Sequence, residues 1–274
     1  MKTKIRLGVL FGGKSAEHEV SLQSAKNVIE AVDREKYDVV LIGIDKEGRW
    51  HLAEASEFLK NSDNPELIKL VQSDDYLAII PGDDKQHLVR LNTKEPVGPV
   101  DVIFPILHGP FGEDGTIQGL LKVANVPFVG ASVLGSAIGM DKDVMKRLLR
   151  DAGIPIARFI TFMKNETDRV SFHELKDRLD LPFFIKPANL GSSVGVHKVS
   201  TEDQFMAAIR DGFQFDSKLL IEEFIEGREI ECSILGNENP IASVPGEILP
   251  QHEFYSYEAK YIDENGALLE IPAK

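Results

Sequence analysis

The feature that most constrains this chain is a rhythm. In its first half, short apolar runs alternate with segments of helical periodicity. Residues 5–11 read as a buried strand, and Leu22, Ala25, Val28, Ile29 and Val32 then share one helical face. Tyr37–Ile44 is strand again, closed by a turn at residues 45–48. After an interruption the alternation resumes: strand at 100–107, helix at 116–123, strand at 127–130 and a broken helix over 133–152. Strands separated by crossover helices pair in parallel, so this half is predicted to be α/β with functional groups at the strand C-termini. The interruption, residues 60–99, is polar and rich in Asp, Pro and Gly, and is expected to be a surface excursion with a short strand or two.

Gly153-Ile154-Pro155 stops the helical pattern, and the rhythm changes beyond it. Strand is expected at 156–163. A helix then opens on a capping box of Ser171 with Glu174. Strands at 182–187 and 194–199 flank a Gly/Ser turn, and a second helix opens with Ser200 and Asp203. Strands near 218–225, 229–236 and 241–249 follow one another by hairpin, so this half is α+β with an antiparallel sheet. A last apolar run at 268–271 has no visible partner, and the ending at Lys274 reads as premature.

Charge narrows the function. With 31 Lys+Arg against 44 Asp+Glu the net charge is -13, so nucleic acid, whose phosphates would be repelled, is not an expected partner. A single cysteine, Cys232, cannot form an internal disulfide, and its apolar neighbours suggest a buried small side chain. No signal-like start and no apolar stretch of ~20 residues is present, which predicts a cytoplasmic protein away from the membrane. Asn165-Glu166-Thr167 has the form of a glycosylation acceptor without the secretory context.

Two motif matches fail on physical grounds. Residues 8–15 fit the phosphate-loop pattern G-x-x-x-x-G-K-S, with Asp45 as a candidate metal-binding aspartate, but the spacer begins Val9-Leu10-Phe11, which belongs inside a sheet. Residues 191–195 fit the nucleophile elbow G-x-S-x-G, which requires a strand turning into a helix. Here Val194, Val196 and Val199 continue in β alternation, so the turn is a hairpin whose N–H and hydroxyl donors suit anionic oxygens.

A third signal is a constellation. Lys142 heads a basic helix with Lys146, Arg147 and Arg150, and Lys186 ends an apolar strand. The Gly/Ser hairpin follows, then residues 219–225 and a run of glutamates from Glu222 to Glu231. Cations for phosphates, N–H donors above them, an apolar strand for a purine and a carboxylate for a ribose would together suit a nucleotide. Glu223 and Glu226 read as a solvated strand edge.

At this point the chain resembles the D-alanine–D-alanine ligases. The matching signatures are residues 11–21 (Phe11-Gly12-Gly13-Lys14-Ser15-Ala16-Glu17-His18-Glu19-Val20-Ser21), His108-Gly109 through Glu113-Asp114-Gly115, Met140-Asp141-Lys142, Lys186-Pro187 with Gly191-Ser192-Ser193-Val194-Gly195, and Tyr257-Glu258-Ala259-Lys260-Tyr261. The excursion resembles the longer form of these enzymes. The resemblance implies an ATP-grasp fold, with an N-terminal α/β substrate domain over 1–130, a central ATP-grasp subdomain over 131–215 and an incomplete C-terminal ATP-grasp domain over 216–274.

It also implies roles. Lys142 and Lys186 would contact ATP phosphates beneath a lid formed by residues 191–195, including Ser192 and Ser193. Glu222, Phe224 and Ile225 would meet the adenine and Glu229 the ribose. Glu17 would hold the ammonium of the first D-alanine in a triad with Ser192 and Tyr261, and His108 would lie near that substrate's carboxylate. Lys260 and Tyr261 would belong to a sealing loop, and tyrosine at 261 goes with an amine nucleophile rather than D-lactate. Glu17 at a helix N-terminus could otherwise serve the helix dipole alone. Partners would be ATP, D-alanine and a second copy joined through the N-terminal domain. The Mg²⁺ (or Mn²⁺) ligands of the family follow the sealing loop, and no R-x-D or N-E-x-N run occurs in the last fourteen residues. The sequence therefore predicts no metal ligands and little turnover from these 274 residues alone. Two alternatives remain: an ATP-binding fragment without catalysis, and a carboxylate–amine ligase with another substrate.

Overall fold

The computed structural model describes residues 4–54, 58–62, 64, 67–71, 73–82, 87–251 and 266–274. The chain forms two compact units. One comprises Met1–Leu148 with Asn189–Gly191, the other Leu149–Ala188 with Ser192–Lys274.

The first unit is built on β1 (Ile5–Gly12), flanked in parallel by β2 (Tyr37–Ile44) and β8 (Val102–Leu107). Helix α1 (His18–Ala31) packs on one face of β1 and α2 (Thr116–Val123) on the other, which is why its residues form an unbroken apolar run. Val9 and Phe11 join Leu22, Ala25 and Ile29 in one core, while Leu10 joins Ile103, Ile117 and Leu121 in the second. Val9, Leu10 and Phe11 are fully buried within the strand, so no phosphate loop exists there. Asp45 is also occupied: its carboxylate accepts from Arg49 Nε at 2.6 Å and lies 3.0 Å from His51 Nε2.

The polar interruption is more ordered than the sequence suggests. β3 (Trp50–Ala53), β6 (Tyr76–Ile79) and β7 (Leu88–Arg90) extend the sheet antiparallel beyond β2 in the order β7-β6-β3-β2-β1-β8, and β4 (Leu59–Lys60) pairs with β5 (Lys69–Leu70). The open edge of β2 supplies backbone partners, and Leu77, Leu88 and Ile68 bury themselves beside it. The expected strand at 127–130 is only a bridge, Phe128 to Ile103. Helices α3 (Val133–Met140) and α4 (Lys142–Asp151) follow; the broken helix expected over 133–152 has its break at Asp141.

The second unit has a four-stranded antiparallel sheet in the order β11-β10-β12-β9, formed by β9 (Phe159–Met163), β10 (Phe183–Pro187), β11 (His197–Val199) and β12 (Lys218–Glu223). Helices α5 (Phe172–Leu179) and α6 (Glu202–Phe215) contribute Leu175, Leu179, Phe205, Ile209 and Phe213 to a core with Phe183, Ile185, Leu219 and Ile221. Each such fully buried side chain contributes about 1.5–3 kcal/mol. Ser171 caps α5 as expected. The cap of α6 lies one residue beyond the expected position: Thr201 and Gln204 complete the box, because Gln204 can reach back to the Thr201 N–H.

The remaining strands are β13 (Glu229–Glu231), β14 (Ile234–Leu235), β15 (Ile241–Ala242), β16 (Gly246–Pro250) and β17 (Ala267–Glu270). The two long strands expected at 229–236 and 241–249 are each split, with β14 and β15 forming a separate ribbon. The run at 268–271, expected to lack a partner, pairs with β16 from Glu247↔Glu270 to Pro250↔Ala267. Cys232 is exposed, not buried: it sits in the gap between β13 and β14, where the alternation that suggested burial has stopped.

Candidate active site

Strand alternation builds the site in the second unit. Phe183 and Ile185 point into the helix-covered core, which turns Phe184 and Lys186 to the opposite face. On β12, Glu222 is the register partner of Phe184, and its carboxylate forms an ion pair with the Lys186 ammonium. Both side chains are largely sheltered, at 21% and 14% exposure, so the pair is screened less than one on the open surface. Beyond Glu223 the strand leaves the sheet, and Phe224 approaches Phe184 with ring centroids 6.1 Å apart. Lys186, Glu222, Phe224, Ile225 and Glu229 line one cleft of about 610 Å³, which Arg228 and Glu247 also border. Five positions separated by up to 43 residues in sequence thus meet on one surface of mixed apolar and charged character.

Arg228 and Glu247 were not apparent from the sequence as a pair. The guanidinium grips the Glu247 carboxylate with Nε and Nη2, the Nε contact being 2.8 Å, and this hydrogen-bonded cation holds the Glu247 carboxyl below its usual range. Glu223 also departs from the expected solvated edge. Its carboxylate accepts from the Arg158 backbone N–H at 2.6 Å and from Arg158 Nε. Glu226 is exposed, as expected.

In the first unit, the end of β1 turns through Gly12 and Gly13, at φ +90° and +100°, and delivers Glu17 to the N-cap position of α1. The Glu17 side chain makes no cap hydrogen bond, but at this position its charge still lies at the positive end of the helix dipole. Glu17 is 1% exposed, lodged beside Gly109 and Gly191. Gly109 has φ +71°, and a Cβ there would overlap Glu17 Oε2; at Gly191 a Cβ would lie 3.2 Å from Oε1. Ser15 ties this corner together, accepting from the Glu17 N–H at 3.1 Å and donating to the His108 carbonyl at 2.7 Å. The His108 ring turns toward α1, with Nε2 3.0 Å from Ser24 Oγ.

The acids of the loop after His108 fold the loop itself. Glu113 accepts from the Gly109 N–H at 2.7 Å, and Asp114 accepts from Phe111 and Thr116 N–H groups, both at 2.9 Å. Lys142 begins α4 and donates to the Leu190 carbonyl at the foot of the Gly/Ser hairpin. That hairpin joins two antiparallel strands, not a strand to a helix, so residues 191–195 are no nucleophile elbow. Ser192 and Ser193 adopt φ +50° and +60°, a left-handed conformation non-glycine residues enter at a cost of about 1–2 kcal/mol. Glu17 and Ser192 belong to different units, and Lys260 and Tyr261, with Tyr255 and Tyr257, lie outside the described residues.

Among the described residues no group of three or more His, Cys, Asp or Glu side chains could hold a metal ion. No helix among these residues is long and apolar enough to cross a membrane.

Comparison with known proteins gives matches along nearly the whole chain. The D-ala D-ala ligase N-terminus family matches residues 6–131, and the D-ala D-ala ligase C-terminus family matches 148–274. A D-alanine--D-alanine ligase of Oceanobacillus iheyensis is 60% identical over 99% of this chain and 74% of its own length. D-alanine--D-alanine ligase A of Escherichia coli K12 is 55% identical over 98% of this chain and 74% of its own. Among solved structures, the VanG D-Ala:D-Ser ligase of Enterococcus faecalis superposes with a TM-score of 0.81 at 33% identity, covering 99% of this chain and 77% of its own. The Coxiella burnetii D-alanine-D-alanine ligase gives 0.76 at 39% identity, covering 89% and 68%.

Proposed function

This chain belongs to the D-alanine–D-alanine ligase family, whose reaction is the ATP-dependent joining of two D-alanines for peptidoglycan synthesis, and from that premise we propose how its residues divide the work. A carboxylate resists attack by an amine because its charge is delocalised and repels the nucleophile. Phosphorylation by ATP converts it into an acyl phosphate, giving ADP. The amine of the second D-alanine then attacks, forming the peptide bond and releasing phosphate. Both partners of the first step are anions, so cations and N–H donors must neutralise the transferring group.

Lys186 and Lys142 supply that positive charge, and the hairpin with Ser192 and Ser193 covers the phosphates. Phe224 and Ile225 pack the adenine, Glu222 accepts from it, and Glu229 accepts from the ribose hydroxyls. Glu17 receives the ammonium of the first D-alanine, with Ser192 and Tyr261 as hydrogen-bond partners, and His108 lies near its carboxylate. Lys260 and Tyr261 seal the site, since water would hydrolyse the acyl phosphate. The carrying observation is the convergence of Lys186, Glu222, Phe224, Ile225 and Glu229 on one cleft. The substrate domain spans 1–130, the central subdomain 131–215, and the C-terminal domain begins at 216. The same proposal pairs two copies through the first unit, where such a contact would cover the exposed Val123 and Leu134 side chains. The protein acts in the cytoplasm.

The test is a product assay with ATP, Mg²⁺ and D-alanine, alone or mixed with D-serine or D-lactate at neutral pH. The expected product is D-alanyl-D-alanine with one ADP per dipeptide. Turnover from these 274 residues alone is expected to be slow; a D-lactate ester among the products, or ADP release that does not depend on D-alanine, would overturn the reading.

A further inference from the structure

Arg158 and Glu223 have no place in the roles above, yet they form a dense knot of polar contacts beside the cleft. Glu223 is the last residue of β12, between Glu222, which pairs with Lys186, and Phe224, which walls the cleft. Both of its carboxylate oxygens are taken by Arg158, one by the backbone N–H and one by Nε, while the Glu223 N–H donates to the Arg158 carbonyl at 3.0 Å. The guanidinium has two further anchors: Nη1 donates to the Arg178 carbonyl at 2.8 Å, and Nη2 to Asp180 Oδ2 at 3.0 Å. These lie in the last turn of α5 and at its C-cap, where a cation also meets the negative end of the helix dipole. Hydrogen bonding from the Arg158 backbone, with a further contribution from its guanidinium, holds the Glu223 carboxyl below its usual range.

One planar cation thus ties the end of β12, the chain entering β9 and the end of α5. The place matters because the sheet ladder stops at Glu223, and residues 224–228 run on without strand structure. The direction in which Phe224 and Ile225 leave the sheet therefore depends on what holds residue 223. The geometry points to Arg158 and Glu223 as a positioning pair for the base-binding wall, setting affinity for the purine while leaving the phosphate contacts of Lys186 alone. This rests on the reading of the cleft as a nucleotide site. Lysine cannot substitute for Arg158, since a single ammonium cannot reach Glu223, the Arg178 carbonyl and Asp180 together.

The experiment compares wild type with Arg158→Lys and Glu223→Gln, using two probes: a non-hydrolysable ATP analogue, and inorganic tripolyphosphate, which has no base. Each variant is expected to bind the ATP analogue about three- to tenfold more weakly, with the double variant little worse than either single one. Tripolyphosphate affinity and KM for D-alanine should stay within about twofold, a contrast that mere loss of stability would not produce. Equal weakening of both probes, or a lowered melting temperature with unchanged affinity for the ATP analogue, overturns the proposal. Phe224→Ala and Lys186→Met separate the two levels. If these also leave ATP-analogue binding untouched, or if wild type binds none, the nucleotide reading itself fails and takes this inference with it.

Discussion

Gly109→Ala is a one-carbon test of the Glu17 assignment. Gly109 sits at φ +71°, and its missing side chain leaves the space that Glu17 Oε2 occupies. A methyl group there has two separable costs. Holding alanine in a left-handed conformation costs about 1–2 kcal/mol of stability. The overlap also displaces the carboxylate, which is 1% exposed and bordered on its other side by Gly191, so it has little room to retreat. If Glu17 holds the D-alanine ammonium, displacement removes a charged hydrogen bond of about 1.5–3 kcal/mol, or roughly a 10- to 150-fold fall in kcat/KM for D-alanine. Affinity for an ATP analogue should stay within about twofold, because the nucleotide cleft is lined by other residues. The assay is steady-state ADP release against D-alanine, paired with analogue binding and a thermal melt. A folded Gly109→Ala variant with wild-type D-alanine dependence would refute the assignment, and so would equal losses for both substrates.

Other expectations follow from single sites. Burial pushes the Asp45 carboxyl upward, but hydrogen bonds from His51 and from the Arg49 backbone and side chain outweigh it and leave the group below its ordinary value. The stability it adds is therefore complete above about pH 3.9 and is lost as pH falls through the lower folded value. Asp45→Asn should cost about 1–3 kcal/mol in urea melts at pH 7 and progressively less as the medium is acidified below pH 4; a gap that widens in acid would contradict this. Cys232, being exposed, should react with a thiol reagent in the native protein at one equivalent per chain, and protection until denaturant is added would contradict its placement. If two copies pair through the first unit, Leu134→Lys, at a side chain 69% exposed, should leave the fold intact and shift sedimentation toward monomer; a wild type that sediments as a monomer, or a variant that sediments as the same dimer, would remove this face as an interface.

Much of the fold was legible because local chemistry repeats along each element. The apolar run of β1 reads as a buried strand, and the helical pattern ending near Asp151 shows its stop in Gly153. The short strands expected in the excursion are there as β6 and β7, but their place in the main sheet is not legible, because Leu77 and Leu88 are hidden among polar neighbours. Only the open edge of β2 and β3 makes strands of them. Cys232 was misread for the converse reason: alternation implies a covered face only while a strand continues, and here it does not.

The site divides along the same line. Residue type and order in sequence were enough to single out Lys142, Lys186 and the run from 219 to 225 with its glutamates as a nucleotide constellation, whereas Glu17, His108 and Glu229 were nominated by the family resemblance. They could not indicate that Glu223 and Arg158, 65 positions apart, share every oxygen of one carboxylate, or that Arg228 reaches 19 residues on to Glu247. Nor could they foresee that Glu113 and Asp114 are consumed in folding their own loop. A charged side chain reads alike in sequence whether it meets water, a ligand or a backbone N–H. Only the register of strands and the packing of turns determines which partner lies within 3 Å, because hydrogen bonds and ion pairs depend on distances that the chain sets by folding.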